Sequence, residues 1–378
     1  MMPTRPSHTS DENKSPAIVW DGLGLSNEYS GVGSYGKHLY EALGHLGVRP
    51  KVVLHSKADV TYVQVSDRIE MDIWSRINAA KRLYQLKPIF PLFAYRQAQK
   101  HLQKTPSQTQ DAMIYHGLSN INLPCFGHKR GTDKFVITLH DIIPLLVGEH
   151  SALALQMQSL MPRVLERADH IITGSKWARD TVLARFGAKY SGKISALGYG
   201  TETPKGDWPS ASSHKTIDGL SIARGESYKR LEIIEVIARK HPDHRFAVVT
   251  CESGRRQLAA APTNLQVHVQ LTGRELEQLM ANSKIFIHPS LFEGWCLPAA
   301  DALVRGLHVL YCQGSGIDEV VEGNTEQATG LSRAASLADW CEAFTASISV
   351  FKPAEKTTAL KKWSDVGQKT LQIYQSLV

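Results

Sequence analysis

The chain has 378 residues, 42% hydrophobic and 21% charged, which is ordinary for a globular protein and long enough for two domains with substantial cores. No apolar run of about 18 residues is present, so a membrane-spanning helix is not expected. Five scattered cysteines (125, 251, 296, 312 and 341) without a Cys-x-x-Cys pair give neither a disulfide framework nor a zinc site.

The first sixteen residues are polar and read as a disordered leader lacking the apolar core of a signal peptide. With reduced thiols, this points to a cytoplasmic protein. A strand over 17–20 leads through a loop to a helix from about residue 33 to 46 and a strand over 51–55. The next segment, 73–110, holds no Asp or Glu but carries Arg76, Lys81, Arg82, Lys87, Arg96, Lys100 and Lys104, which equals the whole +7 excess of the chain. Trp74, Tyr84, Phe90, Phe93 and Tyr95 are interleaved with these cations. Basic helices with aromatic residues suit an anionic membrane surface; the alternative is two solvated helices whose aromatics face the core. No nucleic-acid recognition motif accompanies them, so nucleic acid is not an expected partner.

Strands near 112–116 and 135–140, a helix over 151–167 and a strand over 170–173 complete a Rossmann-like layered half. Residues 198–215, rich in Gly, Pro, Ser and Thr, read as an interdomain linker. The second half repeats the pattern with strands near 219–223, 246–250, 267–271, 285–288 and 308–312, and a long helix, about 356–377, closes the chain. The fold class is α/β with two such domains: 17–200, and 201–355 for the second.

Residues 285–321 carry most of the chemistry. A buried-looking strand ends at Pro289, and an acidic loop, Leu291-Phe-Glu-Gly-Trp-Cys-Leu297, precedes Pro298, a good first helical residue; Gly306 ends that helix. The strand over 308–312 then opens into Gly314-Ser-Gly316 and a helix start bearing Asp318 and Glu319. Twice a strand tip meets a helix N-terminus, where backbone amides and the helix dipole favour phosphates. Glu293 and Asp301 bracket the first site and suit sugar hydroxyls.

Gly31-Val-Gly-Ser-Tyr-Gly36 is a literal Gly-x-Gly-x-x-Gly, but the strand before it ends ten residues earlier and the next strand ends in His55-Ser-Lys57 without an acid. That context excludes a dinucleotide fingerprint, and His38 after Lys37 excludes a P-loop. Gly31 and Gly33 remain candidates for close backbone approach to a ligand, in a loop feeding a helix. Thr138-Leu-His-Asp141 lies at a strand tip, where α/β proteins bind ligands. Arg224-Gly-Glu-Ser-Tyr-Lys229 follows the strand ending near 223, and Arg224 and Lys229 there suit a diphosphate. No Asp-x-Asp, His-Glu-x-x-His or Gly-x-Ser-x-Gly occurs, so metal-dependent GT-A transferase, zinc peptidase and α/β-hydrolase readings lack support.

The 285–321 stretch resembles the acidic signature of retaining glycosyltransferases of the GT-B fold, family 4. Pro289-Ser290, Glu293-Gly294, Leu297-Pro298, Ala302, Gly306 and Gly316-Ile-Asp-Glu319 match; Trp295 and Cys296 replace the usual Phe-Gly, and Asp301 replaces a second Glu. The resemblance implies two Rossmann-like domains facing across a cleft, with the last helix crossing back to the first domain. It implies a nucleotide-diphosphate sugar donor, a saccharide or lipid-linked acceptor, and no cofactor or metal. By the same resemblance His140 would contact the donor sugar, Glu293 its hydroxyls and Asp301 the ribose. Arg224, Lys229 and the amides of Gly294, Trp295, Cys296 and Leu297 would hold the diphosphate, with Gly31 and Gly33 nearby. The paired Gly-x-Gly-x-Tyr and Thr-x-His-Asp-x-x-Pro segments resemble mannosyltransferases of surface-polysaccharide assembly, which makes GDP-mannose a candidate donor beside other GDP- and UDP-sugars. The departures at Trp295, Cys296 and Asp301 leave open a sugar-nucleotide-binding protein without turnover.

Overall fold

The computed structural model describes residues 16–22, 25, 30–54, 68–70, 89–103, 112–148, 151–201, 215–352 and 360–378. Most of the leader, the greater part of the basic 73–110 segment and residues 202–214 of the linker lie outside this set.

The first domain runs β1 (Ala17–Asp21), α1 (Gly31–His45), β2 (Lys51–Leu54), β3 (Arg68–Glu70), α2 (Phe90–Gln103), β4 (Met113–Gly117), β5 (Lys134–Thr138), α3 (Ile143–Leu146), α4 (Ala152–Arg167), β6 (His170–Thr173), α5 (Lys176–Phe186) and β7 (Ile194–Ala196). Its parallel sheet has the order β3-β2-β1-β4-β5-β6-β7. The second domain runs β8 (Ile217–Ile222), α6 (Leu231–Lys240), β9 (Phe246–Thr250), α7 (Glu252–Gln257), β10 (Leu265–Val269), α8 (Gly273–Ala281), β11 (Ser283–His288), α9 (Leu297–Val304), β12 (His308–Cys312), α10 (Ile317–Val321), β13 (Ala328–Leu331) and α11 (Leu337–Ser349). Its sheet, also parallel, has the order β10-β9-β8-β11-β12-β13. Helices on both faces explain why the central strands are continuous apolar runs: all of β4 is buried.

Each sheet reverses direction once, between β1 and β4 and between β8 and β11. Crevices open at the carboxyl ends of strands at such switch points, and ligands bind there. Here the two crevices face each other.

The sequence misses β3, β7 and β13, edge strands of three, three and four residues. Such pieces are too short to show a period. The helix expected from residue 33 begins at Gly31, because the Ser30 side chain caps it by accepting from the Gly33 amide at 3.0 Å. Gly31 and Gly33 therefore lie in the first helical turn rather than in a loop. In the basic segment, Phe90 and Tyr95 of α2 are buried, whereas Phe93 is 40% exposed beside exposed Arg96 and Lys100. The core reading holds for Phe90 and Tyr95; Trp74 and Tyr84 lie outside the described residues.

The last helix, α12 (Trp363–Ser376), crosses back and packs on α1. A side chain at Gly367 would meet Ala42. Its Tyr374 hydroxyl accepts from Trp20 Nε1 at 3.1 Å and meets His116 Nδ1 at 2.6 Å; His116 Nε2 meets Thr138 Oγ1 at 2.9 Å, and Thr138 meets the Tyr35 hydroxyl at 3.1 Å. Burial, reinforced by His140 and His170, pushes the His116 pKa down to about 3. A neutral imidazole has one donor and one acceptor, which fits Tyr374 donating to Nδ1 and Nε2–H donating to Thr138. Removing the hydroxyl in Tyr374→Phe strands the Trp20 and His116 partners inside the core. The expected cost is about 2 kcal/mol of unfolding free energy, the scale for unsatisfied buried groups. Urea denaturation followed by far-UV circular dichroism checks this, and an unchanged midpoint would contradict it.

Candidate active site

The site is built from the two strand tips at the second domain's switch point. After β8 the chain makes a short 3-10 turn over Ser227–Lys229, and Arg230, at φ 54°, turns it into α6. After β11 the Leu291 amide donates to the Tyr228 carbonyl at 2.9 Å, joining the two loops. This brings Lys229 Nζ to 2.6 Å and His288 Nε2 to 2.5 Å from the same carboxylate oxygen, Glu293 Oε1. All three side chains are largely buried, at 14%, 3% and 11% exposure for Lys229, His288 and Glu293.

Burial alone would raise the Glu293 pKa, but the Lys229 ammonium and His288 outweigh it and hold the carboxyl well below its ordinary range. Burial would likewise lower Lys229, and Glu293 reverses that, so the ammonium stays charged above its usual range. Next along the loop, Cys296 caps α9 in a left-handed conformation, φ 83°. Burial, with the Glu293 charge behind it, pushes its thiol pKa up.

His288, Glu293 and Cys296 place three ligand-type atoms within 4.8 Å of one another. A soft divalent cation could use that set only with Lys229 displaced, because the ammonium already occupies the cation position on Glu293.

The first domain supplies the opposite wall. His140 follows β5; its Nε2–H donates to the Leu118 carbonyl at 2.9 Å, so Nδ1 accepts from the Tyr199 hydroxyl at 2.6 Å. Burial lowers its pKa to about 4 against the opposing pull of the Leu118 carbonyl, which makes it a neutral histidine of fixed tautomer. Tyr35 of α1 packs edge-on against its ring at 5.2 Å. Asn120, past the tip of β4, accepts from the His140 amide at 2.7 Å and donates to the Asp141 carbonyl at 2.9 Å. The Asp141 side chain is half-buried, and desolvation raises its pKa against the Ile143 amide that donates to it; Glu293 adds to the rise and Lys229 opposes it.

The walls touch at Gly294. A Cβ there would lie 2.5 Å from the His140 carbonyl oxygen and 3.1 Å from Asp141 Cβ, so glycine alone fits. Ser175 Oγ donates to the Gly294 carbonyl at 2.6 Å from the first domain, and the Gly316 amide donates to the Glu293 carbonyl at 2.8 Å.

The structure thus brings together Lys229, Glu293, Gly294, Cys296 and His140. Trp295 joins them, buried against Tyr199 at 6.0 Å, with its Nε1 lacking a partner among the described residues. Leu297 is the first residue of α9. Arg224 stands apart, 72% exposed and paired with Glu226 at 3.0 Å. Asp301 lies one turn into α9, 3.5 Å from Arg305 Nη1, and Arg305 in turn pairs with Glu277. Gly31 is exposed with open space where a Cβ would stand, and Gly33 is buried beneath it. Sequence reasoning missed Asn120 and His288. The first could have been found by examining the tip of β4; the second is disguised as the end of an apolar strand.

Two family models match the chain: one described as Glycosyltransferase Family 4 over residues 29–197, and one described as Glycosyl transferases group 1 over residues 230–349. The chain belongs to the group 1, family 4 glycosyltransferases. Solved structures show the same GT-B fold around this transferase. Sucrose-phosphate synthase from Thermosynechococcus elongatus is 16% identical, covering 96% of this chain and 99% of its own, with a TM-score of 0.74. Anabaena HepE, solved in complex with UDP, is 15% identical over 96% and 98%, TM-score 0.61. WaaG, a glycosyltransferase involved in lipopolysaccharide biosynthesis, is 12% identical over 95% of each chain, TM-score 0.60. No individually curated protein matches the chain by sequence.

The cleft of this glycosyltransferase depends on a buried ion pair, and breaking such a pair from one side typically costs about 3–5 kcal/mol. Lys229→Met is expected to lower the unfolding free energy by that order at pH 7, with Glu293→Gln on top costing much less than it does alone. Because the folded Glu293 pKa lies below its ordinary 4.5, its contribution is intact above that pH and is lost as the pH falls further. Urea titrations of the double-mutant cycle measure the coupling, and strictly additive costs would contradict the pairing.

Proposed function

We propose that this glycosyltransferase moves a hexose from a nucleotide-diphosphate sugar to a saccharide or lipid-linked saccharide acceptor of a surface glycan, with retention at the anomeric carbon and without a metal ion. The observation that carries the reading is the fixed Lys229 ammonium on Glu293 at the second domain's switch point, faced across the cleft by His140 and Asp141. A departing diphosphate needs positive charge held in place before the bond breaks, because preorganised charge stabilises a transition state without further reorganisation. Lys229, the amides of Gly294 to Leu297 and the N-terminus of α9 provide it, and the exposed Arg224 can swing in from the neighbouring tip.

In this scheme the bond between the anomeric carbon and the diphosphate oxygen breaks first, leaving an oxocarbenium-like sugar. The acceptor hydroxyl attacks on the same face and gives its proton to a donor phosphate oxygen. Glu293 holds the sugar hydroxyls, and Asp301 the ribose once it leaves Arg305. His140 reaches the sugar by exchanging its Leu118 carbonyl for a sugar oxygen. GDP-mannose is the first donor to try, with UDP-sugars beside it because HepE was solved with UDP. The exposed Phe93, Arg96 and Lys100 of α2 offer an anionic membrane surface an approach to the acceptor side.

A second reading, a sugar-nucleotide-binding subunit without turnover, draws on the Asp301–Arg305 contact and on the two protein partners of the His140 ring. Incubation with a panel of sugar nucleotides, using soluble saccharides or lipid-linked saccharides in anionic vesicles as acceptors, decides between them. Proton NMR of the product is expected to show the donor's anomeric configuration retained. Lys229→Ala should lower turnover by about 10²–10³-fold, the scale for losing one transition-state donor. An inverted product would overturn the mechanism, and binding without hydrolysis or transfer would favour the second reading.

A further inference from the structure

The loop carrying Glu293 is held to the first domain by more than the close approach of Gly294. Helix α5 of the first domain has no acidic residue in its first turn, and Ser175 caps only the Ala178 amide. The amides of Lys176 and Trp177 would be left to water, as the first amides of any helix are. They donate instead to a carboxylate of the other domain: Lys176 N–H to Glu319 Oε2 at 3.0 Å and Trp177 N–H to Glu319 Oε1 at 2.9 Å. Arg179 on the same helix and Lys361 before α12 also feel the Glu319 charge. One carboxylate of the second domain therefore meets two amides and the dipole of a first-domain helix.

Glu319 sits in α10, whose preceding residue Gly316 donates its amide to the Glu293 carbonyl. The Trp177 ring lies 6.3 Å from that of Phe292, the residue just before Glu293. What fixes Glu319 against α5 thereby fixes the Glu293 loop against the first domain.

We propose that Glu319 is a closure latch: by capping α5 across the cleft it holds the two domains together and positions Glu293 and Gly294 against His140 and Asp141. Glu319 is a positioning residue, acting through the loop rather than on substrate. Only the kinetic part of this inference rests on the function proposed above; the closure itself does not.

Two substitutions attack the latch from opposite sides. Glu319→Ala removes the acceptor. Lys176→Pro removes one donor while keeping the helix, because Lys176 is the first helical residue, where proline is tolerated, and Ser175 before it is already extended at φ −149° and ψ 161°. Small-angle X-ray scattering of the substrate-free protein is expected to give a larger radius of gyration for both variants than for the wild type, with Glu319→Gln in between. Closed-to-open ratios should fall roughly tenfold when the charged hydrogen bonds are lost. In the transfer assay kcat/KM for the donor should fall about tenfold, mainly through KM, because bound donor restores closure at saturation. Combining Lys176→Pro with Glu319→Ala should add nothing to Glu319→Ala alone. An unchanged radius of gyration in both single variants, or additive effects in the double, would overturn the latch. Absence of transfer with every donor would fault the proposed function while leaving the scattering result to decide the latch.

Discussion

A lysine ammonium and a carboxylate 2.6 Å apart, both largely out of water, are the constraint around which the second domain's ligand side is arranged. Desolvating either ion alone would cost several kcal/mol, and their attraction offsets that only with good geometry and further hydrogen bonds. His288 supplies one such bond from the end of β11, and the Leu291–Tyr228 backbone contact keeps the two loops in register. The Lys229 charge is therefore present before any donor arrives, and it stands at a switch point, where an anionic ligand meets strand tips and a helix N-terminus.

The first domain answers this with neutrality. His116 and His140 are both held uncharged by burial, and a hydrogen-bonded line from Trp20 through Tyr374, His116 and Thr138 to Tyr35 ties the returning helix α12 to the wall beside His140. Two neutral imidazoles facing the Lys229 ammonium suit the proposed reaction, in which negative charge gathers on the departing diphosphate at the Lys229 side of the cleft. The interface combines the close approach at Gly294, the Ser175 hydroxyl and the Glu319 carboxylate on helix amides with two ring contacts, Trp295 on Tyr199 and Trp177 on Phe292.

Much of this was legible in the sequence, for identifiable reasons. Doubly covered strands such as β4 and β12 are apolar runs, so they and their alternation with helices stood out, and with them the two-domain GT-B reading. Lys229, Glu293 and His140 were legible because each sits just past such a strand. The edge strands β3, β7 and β13 were not, being too short to show a pattern. Asp141 was visible in its motif, but nothing local said that its carboxyl lies within reach of the Glu293 and Lys229 charges. Glu319 belonged to a matched motif, yet its partners are the amides of residues 142 and 143 positions away, which no periodicity reveals. The Cys296 departure gained a physical meaning only from the structure. At the slot where the resembled signature has glycine, this backbone is left-handed, and the chain accepts roughly 1–2 kcal/mol of strain to place a thiol there.

The central claim is that the buried Lys229–Glu293 pair is the donor site. Isothermal titration of UDP and GDP into the wild type and into Lys229→Met tests it most directly, since binding requires no knowledge of acceptor or linkage. The expected result is saturable binding of at least one of the two to the wild type, weakened at least about tenfold in the variant, the scale of a lost charge-assisted contact. Equal affinity in both proteins, or no binding of either nucleotide to the wild type, would contradict the account.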